Sequence, residues 1–455
     1  MTGHIIQEVR FEDGSAVNMP PSHQKGTFQD VSRPNLISLL HSSFEMSTSS
    51  SAITVTPLPT NQPPSYTTDH HVGNPPTSFR NPWPSAGIEN SLFKNFQTRF
   101  GRDRNFVPVP NDRKELVQVR KPDWGAGQDG LKATWIGHAS FLVETSVSMI
   151  VGEEREGDGE DGIRTKRGMR ILLDPVFSER TSPSQWFGPK RYTPTPCKID
   201  ELPEVDLVVI SHNHYDHLDD MTIREVYKRG QGKVRFLCGL GNRKCFEGMG
   251  VPTMDVVELD WWDGVEIKVE GVGSVKIVCT PAQHFSGRSA FNMGTGLWCS
   301  WVIEEINGVS KTKSVDLGKT SRGRRLYFSG DTGYRARPSP EPEDLSTLPH
   351  CPAFSEIGEL YGPFDLALLP IGLYSPPSFM ANIHCPPEDS VCIHKDIQSK
   401  KSIGMHWGTV RGGISGQYED VREPPRRWKE SCEKAGLKWG EDAGLCDIGE
   451  TVVVL

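Results

Sequence analysis

The sequence lacks the features that mark membrane-spanning, secreted and nucleic-acid-binding proteins. Its 455 residues contain no apolar run of about 18 residues, so we predict no transmembrane span. The ten cysteines are scattered without a C-x-x-C pair, and we therefore expect reduced thiols in an intracellular protein instead of a disulfide framework. A formal net charge of −8 gives no general nucleic-acid signature.

The first 90 residues lack the composition of a folded domain. The opening stretch, MTGHIIQEVRFEDG, has no apolar segment and carries acidic residues early, so we expect neither a secretory nor a mitochondrial targeting signal. Residues 1–90 are rich in Ser, Thr, Pro and Asn, and such a segment buries too little apolar surface to offset its ordering entropy. We predict a disordered tail there, and surface insertions at three charged or proline-rich stretches, 152–168, 307–325 and 335–350.

The rest of the chain contains nine short apolar runs rich in β-forming residues, with helices expected near 219–229 and 386–400. LDWWDG at 259–264 is typical of a buried strand end. Several runs end in a polar residue, and α/β proteins build their sites at the carboxyl ends of strands. The pattern predicts an α/β fold whose sheets deliver these side chains to one edge. They are Asp174, His212, His284, Asp331 and His406.

The stretch VISHNHYDHLDD holds the densest cluster of ionisable side chains, in an H-x-H-x-D-H pattern. Alternation along an extended segment puts the first two histidines on one side, and a turn brings the aspartate and third histidine to a neighbouring position. Burying so many ionisable groups without a metal would be costly, and these ligands suit zinc or, less selectively, iron or manganese. The four residues are His212, His214, Asp216 and His217.

Strand-end residues supply the remaining ligands of a predicted two-metal site, with Asp331 bridging the ions. Asp219 and Asp220 either orient ligand histidines or begin the next helix. One ion would be held by His212, His214 and His284, and the other by Asp216, His217 and His406.

The motif, followed by a downstream His, Asp and His, resembles the signature of the metallo-β-lactamase superfamily. Longer motifs, in the same order, narrow this resemblance to the N-acyl-phosphatidylethanolamine-hydrolysing phospholipase D family, over roughly residues 95 to 455. These motifs are TWIGHASFLVE, DPVFSERTSPSQWFGPKRYTPTPCKIDELPEVDLVVISHNHYDHLD, VVELDWWD, TPAQHFSGR, FSGDTGY, FDLALLPIGLY and DIQSKKSIGMHWGT.

The resemblance implies a four-layer αββα sandwich over residues 91–455, with a binuclear metal site at one edge and two zinc ions per chain. It implies hydrolysis of N-acyl-phosphatidylethanolamine to phosphatidic acid and an N-acylethanolamine, and suggests a homodimer. The seven predicted ligands match the family's zinc ligands position by position. His384, in FMANIHCPPED, matches a family histidine near the site that is important for activity.

For such a two-metal site we expect a mechanism in which two cations hold a water as hydroxide, and this hydroxide attacks phosphorus in line. We assign catalysis to Asp216, Asp331 and His384. Asp331 would fix the metal spacing, and His384 would protonate the leaving alkoxide or, alternatively, cap the following helix. For His138, in IGHASF, we expect one of two roles. It either lies in the core or behind the metal ligands, or it takes part in catalysis.

A lipid substrate requires docking on a bilayer surface, so a cytoplasmic or peripherally membrane-associated protein is expected. The stretch PSQWFGPKRYTP, 183–194, combines aromatic and basic residues suited to anionic headgroups. Alternatively, it is a proline-bounded loop packed on the domain. The tentative contacts are Trp186, Phe187, Lys190 and Arg191.

Two other functions stay open at this point. The same fold and metals support hydrolysis of another ester, lactone or phosphodiester, because a fold does not determine the bond that is cleaved. A non-catalytic, metal-stabilised scaffold is the second alternative, although a scaffold has no need of an open two-metal centre.

Overall fold

Seventeen strands in the described part of the chain form two large sheets and one small one. The computed structural model describes residues 53–87, 106–147, 167–289, 291–306 and 322–455. None of the helices in these ranges is long and apolar enough to cross a membrane.

The strands are short, as the apolar runs predicted, and each of the nine runs contains at least one of them. They are β1 (Ile53–Pro57), β2 (His71–Val72), β3 (Ser78–Phe79), β4 (Leu131–Gly137), β5 (Ser140–Glu144), β6 (Arg170–Leu173), β7 (Leu207–Val209), β8 (Arg235–Gly239), β9 (Val256–Leu259), β10 (Gly264–Val269), β11 (Gly273–Thr280), β12 (Ser300–Ile306), β13 (Arg325–Phe328), β14 (Leu366–Pro370), β15 (Ser402–Met405), β16 (Ala443–Gly444) and β17 (Thr451–Val454).

The two large sheets have similar connectivity. One has the order β17-β4-β5-β6-β7-β8-β9 and the other the order β1-β10-β11-β12-β13-β14-β15-β16. After its first strand, each sheet has antiparallel strands that are consecutive in the chain and continues with parallel strands from β6 or β13 onward. The first strand of each sheet comes from the other end of the chain. β1, near the start of the described residues, pairs with β10, and β17, at the end of the chain, pairs with β4.

The described residues contain six helices. The predicted helices near 219–229 and 386–400 are confirmed as the first and fifth of them. The six are α1 (Asp220–Gly230), α2 (Arg243–Gly248), α3 (Ala353–Tyr361), α4 (Pro377–Met380), α5 (Pro387–Asp396) and α6 (Glu423–Lys434).

Side-chain alternation along the strands separates two apolar clusters. In β6, Ile171 and Leu173 belong to the large cluster that both sheets share, whereas Leu172 faces the smaller one. The smaller cluster includes Ile223 and Val226 of α1, so this helix covers the outer face of the seven-stranded sheet. On the other side α5 packs against β14. The layers are therefore helix, sheet, sheet and helix, the sandwich that the resemblance implied.

The carboxyl ends of three strands in each sheet meet at one edge of this sandwich. β4 and β6 run in the same direction because each is antiparallel to β5, and β7 is parallel to β6. By the same reasoning β11, β13 and β15 share one direction in the other sheet. The polar strand-end residues predicted from the sequence therefore lie at this common edge.

The predicted disordered tail, residues 1–90, is wrong over 53–87. Residues Ile53–Pro57 form β1, which pairs antiparallel with β10 from Ile53 opposite Val269 to Pro57 opposite Val265. Composition could not reveal this pairing, since an edge strand is stabilised by a partner distant in sequence. The domain therefore begins before the predicted residue 91, and residues 1–52 and 88–90 lie outside the described ranges.

The three predicted insertions are described to different extents. Most of 152–168 and of 307–325 lies outside the described residues. Residues 335–350 form a loop, but Arg335 and Arg337 at its start are buried, with Nε and Nη2 lying 3.1 and 3.0 Å from the two carboxylate oxygens of Asp389 in α5. This loop is thus anchored to the domain by buried ion pairs and is not a wholly solvated insertion.

Candidate metal centre

Seven residues predicted as metal ligands lie together at the shared sheet edge. Six of them fall into two groups, within each of which the ligand atoms lie within 4.8 Å of one another, and the seventh, Asp331, lies between the groups. The first group is His212, His214 and His284; the second contains Asp216, His217 and His406, with His138 beside them.

The first group comes from β7 and β11, one strand in each sheet. His212 Nε2 lies 2.9 Å from His214 Nδ1, and that Nδ1 lies 3.3 Å from His284 Nε2. Zinc bonds of about 2.0–2.1 Å in a tetrahedral arrangement separate ligand nitrogens by about 3.3 Å. These three imidazoles are therefore spaced as ligands of one ion.

The second group adds a carboxylate. His217 Nε2 lies 3.3 Å from His406 Nε2, and Asp216 Oδ2 lies 3.9 Å from the former and 4.0 Å from the latter. His138 Nε2 donates a hydrogen bond of 3.1 Å to the same Asp216 oxygen, which holds the carboxylate in position. His138, whose role was open, therefore contacts a candidate ligand.

Asp331 lies between the groups. Its Oδ2 is 3.1 Å from His217 Nε2, 3.8 Å from His284 Nε2 and 4.0 Å from His212 Nε2. Its Oδ1 is buried and accepts no hydrogen bond of good geometry within the described ranges, although His406 Nε2 lies 2.9 Å away. An orphaned buried carboxylate oxygen surrounded by imidazole nitrogens fits a cation, so the residues present suit two metal ions.

Hydrogen bonds on the far sides of the rings orient the nitrogens toward the centre. His284 Nδ1 donates to the Ile383 carbonyl at 2.8 Å, and His217 Nδ1 donates to Asp174 Oδ2 at 2.6 Å. Each bond leaves Nε2 free to bind a metal. The sequence marked Asp174 only as a strand-end residue, and its φ of 37° is the further signal that this position is constrained.

Two glycines let the loops approach each other closely. A Cβ on Gly330, in the turn that carries Asp331, would lie 2.4 Å from the Ser211 Cβ. A Cβ on Gly372 would lie 2.4 Å from the His406 carbonyl oxygen. A larger residue at Gly330 would push apart the two sheet edges that meet at the centre, whereas one at Gly372 would separate the turns after β14 and β15, which lie in one sheet.

Burial and neighbouring charges set the protonation of the cluster. Burial lowers the pKa of His214 and of His384 to about 4, so both rings are neutral, the form that binds metal. Burial opposes ionisation of Asp331, but His217 and His406 hold the pKa of that carboxyl well below its usual range. His217 differs from these rings, because burial opposes its protonation but Asp331 and Asp216 hold its pKa well above the usual range. Carboxylates and imidazoles together are a donor set that favours divalent cations.

Comparisons with known proteins agree with this geometry. A family model described as a beta-lactamase superfamily domain matches residues 169–407. A protein from Caenorhabditis elegans, N-acyl-phosphatidylethanolamine-hydrolyzing phospholipase D 1, is 32% identical over 356 residues, which cover 76% of this chain and 83% of that protein. The chain belongs to the N-acyl-phosphatidylethanolamine-hydrolysing phospholipase D family. It is a metal-dependent hydrolase.

Other members and neighbours are more distant. The phospholipase D family protein of Saccharomyces cerevisiae, named as mitochondrial, is 30% identical over 395 residues, 82% of this chain and 75% of that protein. Among solved structures, a metallo hydrolase from the archaeon Ignicoccus hospitalis is 22% identical with a TM-score of 0.43, covering 71% of this chain and 98% of that chain.

His384 lies next to the centre of this family member. Its Nδ1 is 3.7 Å from Asp331 Oδ2 and is buried without a hydrogen-bond partner in the described residues. Its ring stacks against His406 at 5.3 Å between centroids. His384 precedes α5 by three residues, and the cap position of that helix is occupied by Pro386, so the alternative of a helix cap is wrong.

Asp219 and Asp220 make no contact with a ligand histidine in the part of the chain that the structure describes. Asp219 is the N-cap residue of α1, and its carboxylate accepts hydrogen bonds from the backbone of Phe177 and Ser178. Asp220 pairs with Arg288. Of the two alternatives predicted for these aspartates, the start of the helix is the one observed.

The tentative membrane contacts differ among themselves. Trp186, Phe187 and Lys190 are exposed, and Lys190 Nζ lies 3.1 Å from Glu179 Oε2. The prediction for Arg191 is wrong, because its guanidinium turns inward and donates a 2.7 Å hydrogen bond to the Val176 carbonyl. Arg191 therefore holds the loop together instead of facing a headgroup.

The geometry predicts that metal content depends on both groups through Asp331. We expect His406→Ala to lose about one ion per chain, because only the second group loses a ligand, and Asp331→Asn to lower the occupancy of both sites. Elemental analysis after dialysis measures this. His394→Ala, a buried histidine bonded to Ser402 instead of the centre, is the matched control. Full metal content in both His406→Ala and Asp331→Asn would contradict the grouping.

Proposed function

We propose that the protein is a zinc-dependent phosphodiesterase that hydrolyses N-acyl-phosphatidylethanolamine to an N-acylethanolamine and phosphatidic acid. The observation that carries the proposal is the pair of ligand groups sharing Asp331, Oδ2 of which lies 3.1–4.0 Å from imidazole nitrogens of both groups. The relatives named for this reaction support the choice of substrate. The homodimer suggested by the resemblance stays a prediction.

Seven side chains would hold two zinc ions. Bound there, the ions would supply Lewis acidity and a water acidified enough to act as a nucleophile at neutral pH. Each ion would take the ligands of one of the two groups defined above by the distances between ligand atoms, and Asp331 would be common to both ions. They are His212, His214 and His284 for one ion, and Asp216, His217 and His406 for the other.

The protein's own groups would position the phosphodiester and stabilise the departing oxygen. His138 and Asp174 fix Asp216 and His217 through hydrogen bonds of 3.1 and 2.6 Å. Preorganised groups of this kind cost no reorganisation during the reaction. His384 Nδ1 faces the centre and has no protein partner within the described residues, so the neutral ring, protonated on Nδ1, would donate a hydrogen bond to the departing N-acylethanolamine oxygen.

Exposed apolar side chains, in loops that follow strands ending at the shared edge, support docking on a bilayer. Two loops leave the shared edge, after β6 and after β11, and each carries a pair of large apolar residues that face solvent. Such residues gain free energy by entering the interfacial region of a membrane. We infer a peripheral membrane protein that meets its lipid at this edge. The exposed fractions are 85% for Trp186, 78% for Phe187, 99% for Phe291 and 61% for Met293.

Product analysis tests the reaction. Metal-replete protein incubated with a defined N-acyl-phosphatidylethanolamine should release the N-acylethanolamine and phosphatidic acid in equal amounts, as measured by mass spectrometry. Phosphatidylcholine and simple lactones serve as comparison substrates, because the same metal centre could act on other bonds. Hydrolysis of lactones alone would overturn the phospholipase proposal while leaving the metal centre intact.

The role of His384 predicts a dependence on the leaving group. His384→Phe keeps the ring shape but removes the donor, so we expect kcat on the lipid to fall about 100-fold with unchanged metal content. A bis(p-nitrophenyl) phosphate substrate needs no proton on its departing phenolate and should lose less than about fivefold. An equal loss on both substrates would indicate that His384 only supports the structure.

The docking surface predicts a selective loss of membrane binding. The double substitution Trp186→Ser with Phe187→Ser should weaken binding to vesicles containing anionic lipid at least about tenfold. A tenfold change corresponds to about 1.4 kcal/mol, which is less than the free energy of fully burying one such side chain. Met254→Ser is the matched control, because Met254 is 83% exposed but precedes β9, at the opposite edge of the sheet. Activity on a dispersed short-chain substrate should not change. Equal vesicle binding by all variants would contradict this orientation.

A further inference from the structure

A second cluster of metal-binding side chains lies outside the candidate metal centre. It consists of His70, His71 and Asp260, and one ligand atom from each lies within 4.8 Å of the others. His70 Nε2 is 2.9 Å from Asp260 Oδ1, and His71 Nε2 is 2.7 Å from Asp260 Oδ2. None of the three makes a hydrogen bond or ion pair with the centre's seven ligands in the described ranges.

The cluster joins the segment once predicted to be disordered to the end of a sheet. His71 begins β2, in residues 53–87, whereas Asp260 directly follows β9. His70 is buried and stacks on Trp261 with ring centroids 4.3 Å apart, and Trp83 stacks on the same indole at 5.3 Å. This stacking fixes the segment that carries His70 against the segment that carries Asp260 and Trp261. The ligand atoms are therefore held in place by packing of both segments.

We propose that His70, His71 and Asp260 form a third divalent-cation site, which binds zinc and fastens residues 66–83 to the sheet. Two imidazoles and one carboxylate are borderline ligands of the kind zinc prefers. Each imidazole would bind through Nε2 in its Nδ1-protonated tautomer. Three protein ligands leave one coordination position, which water would fill.

The spacing of the ligand atoms matches that of the candidate metal centre in the same structure. There, imidazole nitrogens and the Asp331 oxygens approach one another at 2.9 and 3.1 Å. The second cluster has its nitrogens 2.7 and 2.9 Å from the Asp260 oxygens. A cation entering either cluster would need only a small outward movement of the ligands to reach normal bond lengths.

The charge of the cluster also favours a cation. Asp260 is largely buried, and in the described residues its carboxylate pairs with no lysine or arginine. A second carboxylate, Asp263 Oδ2, accepts a hydrogen bond from the Asp260 backbone N–H at 3.2 Å. Two acidic side chains close together, with no lysine or arginine paired to Asp260 among the described residues, favour a divalent cation.

A cavity of about 250 Å³ borders the cluster. Tyr66, Trp83 and Trp262 line it together with His70, and the side chains of His71 and Asp260 are 18% and 17% exposed. A metal site needs such access for exchange with solvent. The proposed ion would therefore be reachable by chelators without unfolding of the domain.

Metal counting tests this site, which does not depend on the proposed reaction. Wild type should hold about one more zinc per chain than His71→Ala, by elemental analysis after dialysis against zinc-containing buffer. His71 is partly exposed, so its truncation should be tolerated. His350→Ala, a histidine that stacks on Tyr334 away from both clusters, is the matched control and should keep every ion.

A second readout separates metal binding from hydrogen bonding. Adding zinc to metal-stripped His406→Ala protein should raise its Tm through the third site, and the rise should be smaller in a His406→Ala, His71→Gln double variant. Glutamine keeps one hydrogen bond to Asp260 but is a poor zinc ligand. Equal zinc counts in wild type and His71→Ala, or equal Tm shifts in the two backgrounds, would mean that the cluster is only a hydrogen-bonded triad and would overturn the proposal.

Because the two metal centres are counted separately, failure of one proposal is distinguishable from failure of the other. A wild type with two ions that still cleaves the lipid would refute only the third site. A wild type with three ions that releases no N-acylethanolamine would refute only the proposed reaction.

Discussion

The structure depends on the cost of burying charge at the edge where the two sheets meet. Asp174 and Asp331 are almost fully buried there with four histidine ligands around them. Ionised carboxylates are stable in such surroundings only when they are paired or bound to metal. The strands that end at this edge therefore contribute side chains that pair with these carboxylates. The turns after the strands adopt the backbone conformations that place those side chains. His138 and His406 both adopt positive φ, a conformation that few non-glycine residues accept.

The division of ligands between sheets explains why one aspartate is central. The motif after β7 supplies four ligands from one sheet, whereas His284, Asp331 and His406 follow strands of the other. Asp331 is the side chain from the second sheet that contacts ligands of both groups. Any change that separates the sheets would thus alter the distance between the two groups, so core packing and the spacing of the metals are linked.

The sequence predicted the parts of this arrangement that are local. Nine apolar runs, the helices α1 and α5 and the ligand motif depend on neighbours close in the chain, and all are found where expected. The strand β1 could not be predicted, because its stability comes from β10, about 200 residues away. Arg191 was assigned to the surface by composition alone, yet the Val176 carbonyl draws its guanidinium inward. His70 and His71 were hidden within a segment whose Ser and Pro content suggested disorder.

Exposure of the ligands indicates the side from which a substrate reaches the centre. The Asp216 side chain is 25% exposed, whereas those of His217, His284 and His406 are fully buried. Asp216 follows β7, and the loops that carry Trp186 and Phe291 leave the same sheet edge. In the reaction we propose, a phosphodiester arriving past Asp216 would keep its acyl chains toward those exposed apolar residues. The metal chemistry alone does not select a lipid. Selectivity for a lipid substrate would arise because the partly exposed Asp216 lies at the same edge as the loops with exposed apolar side chains.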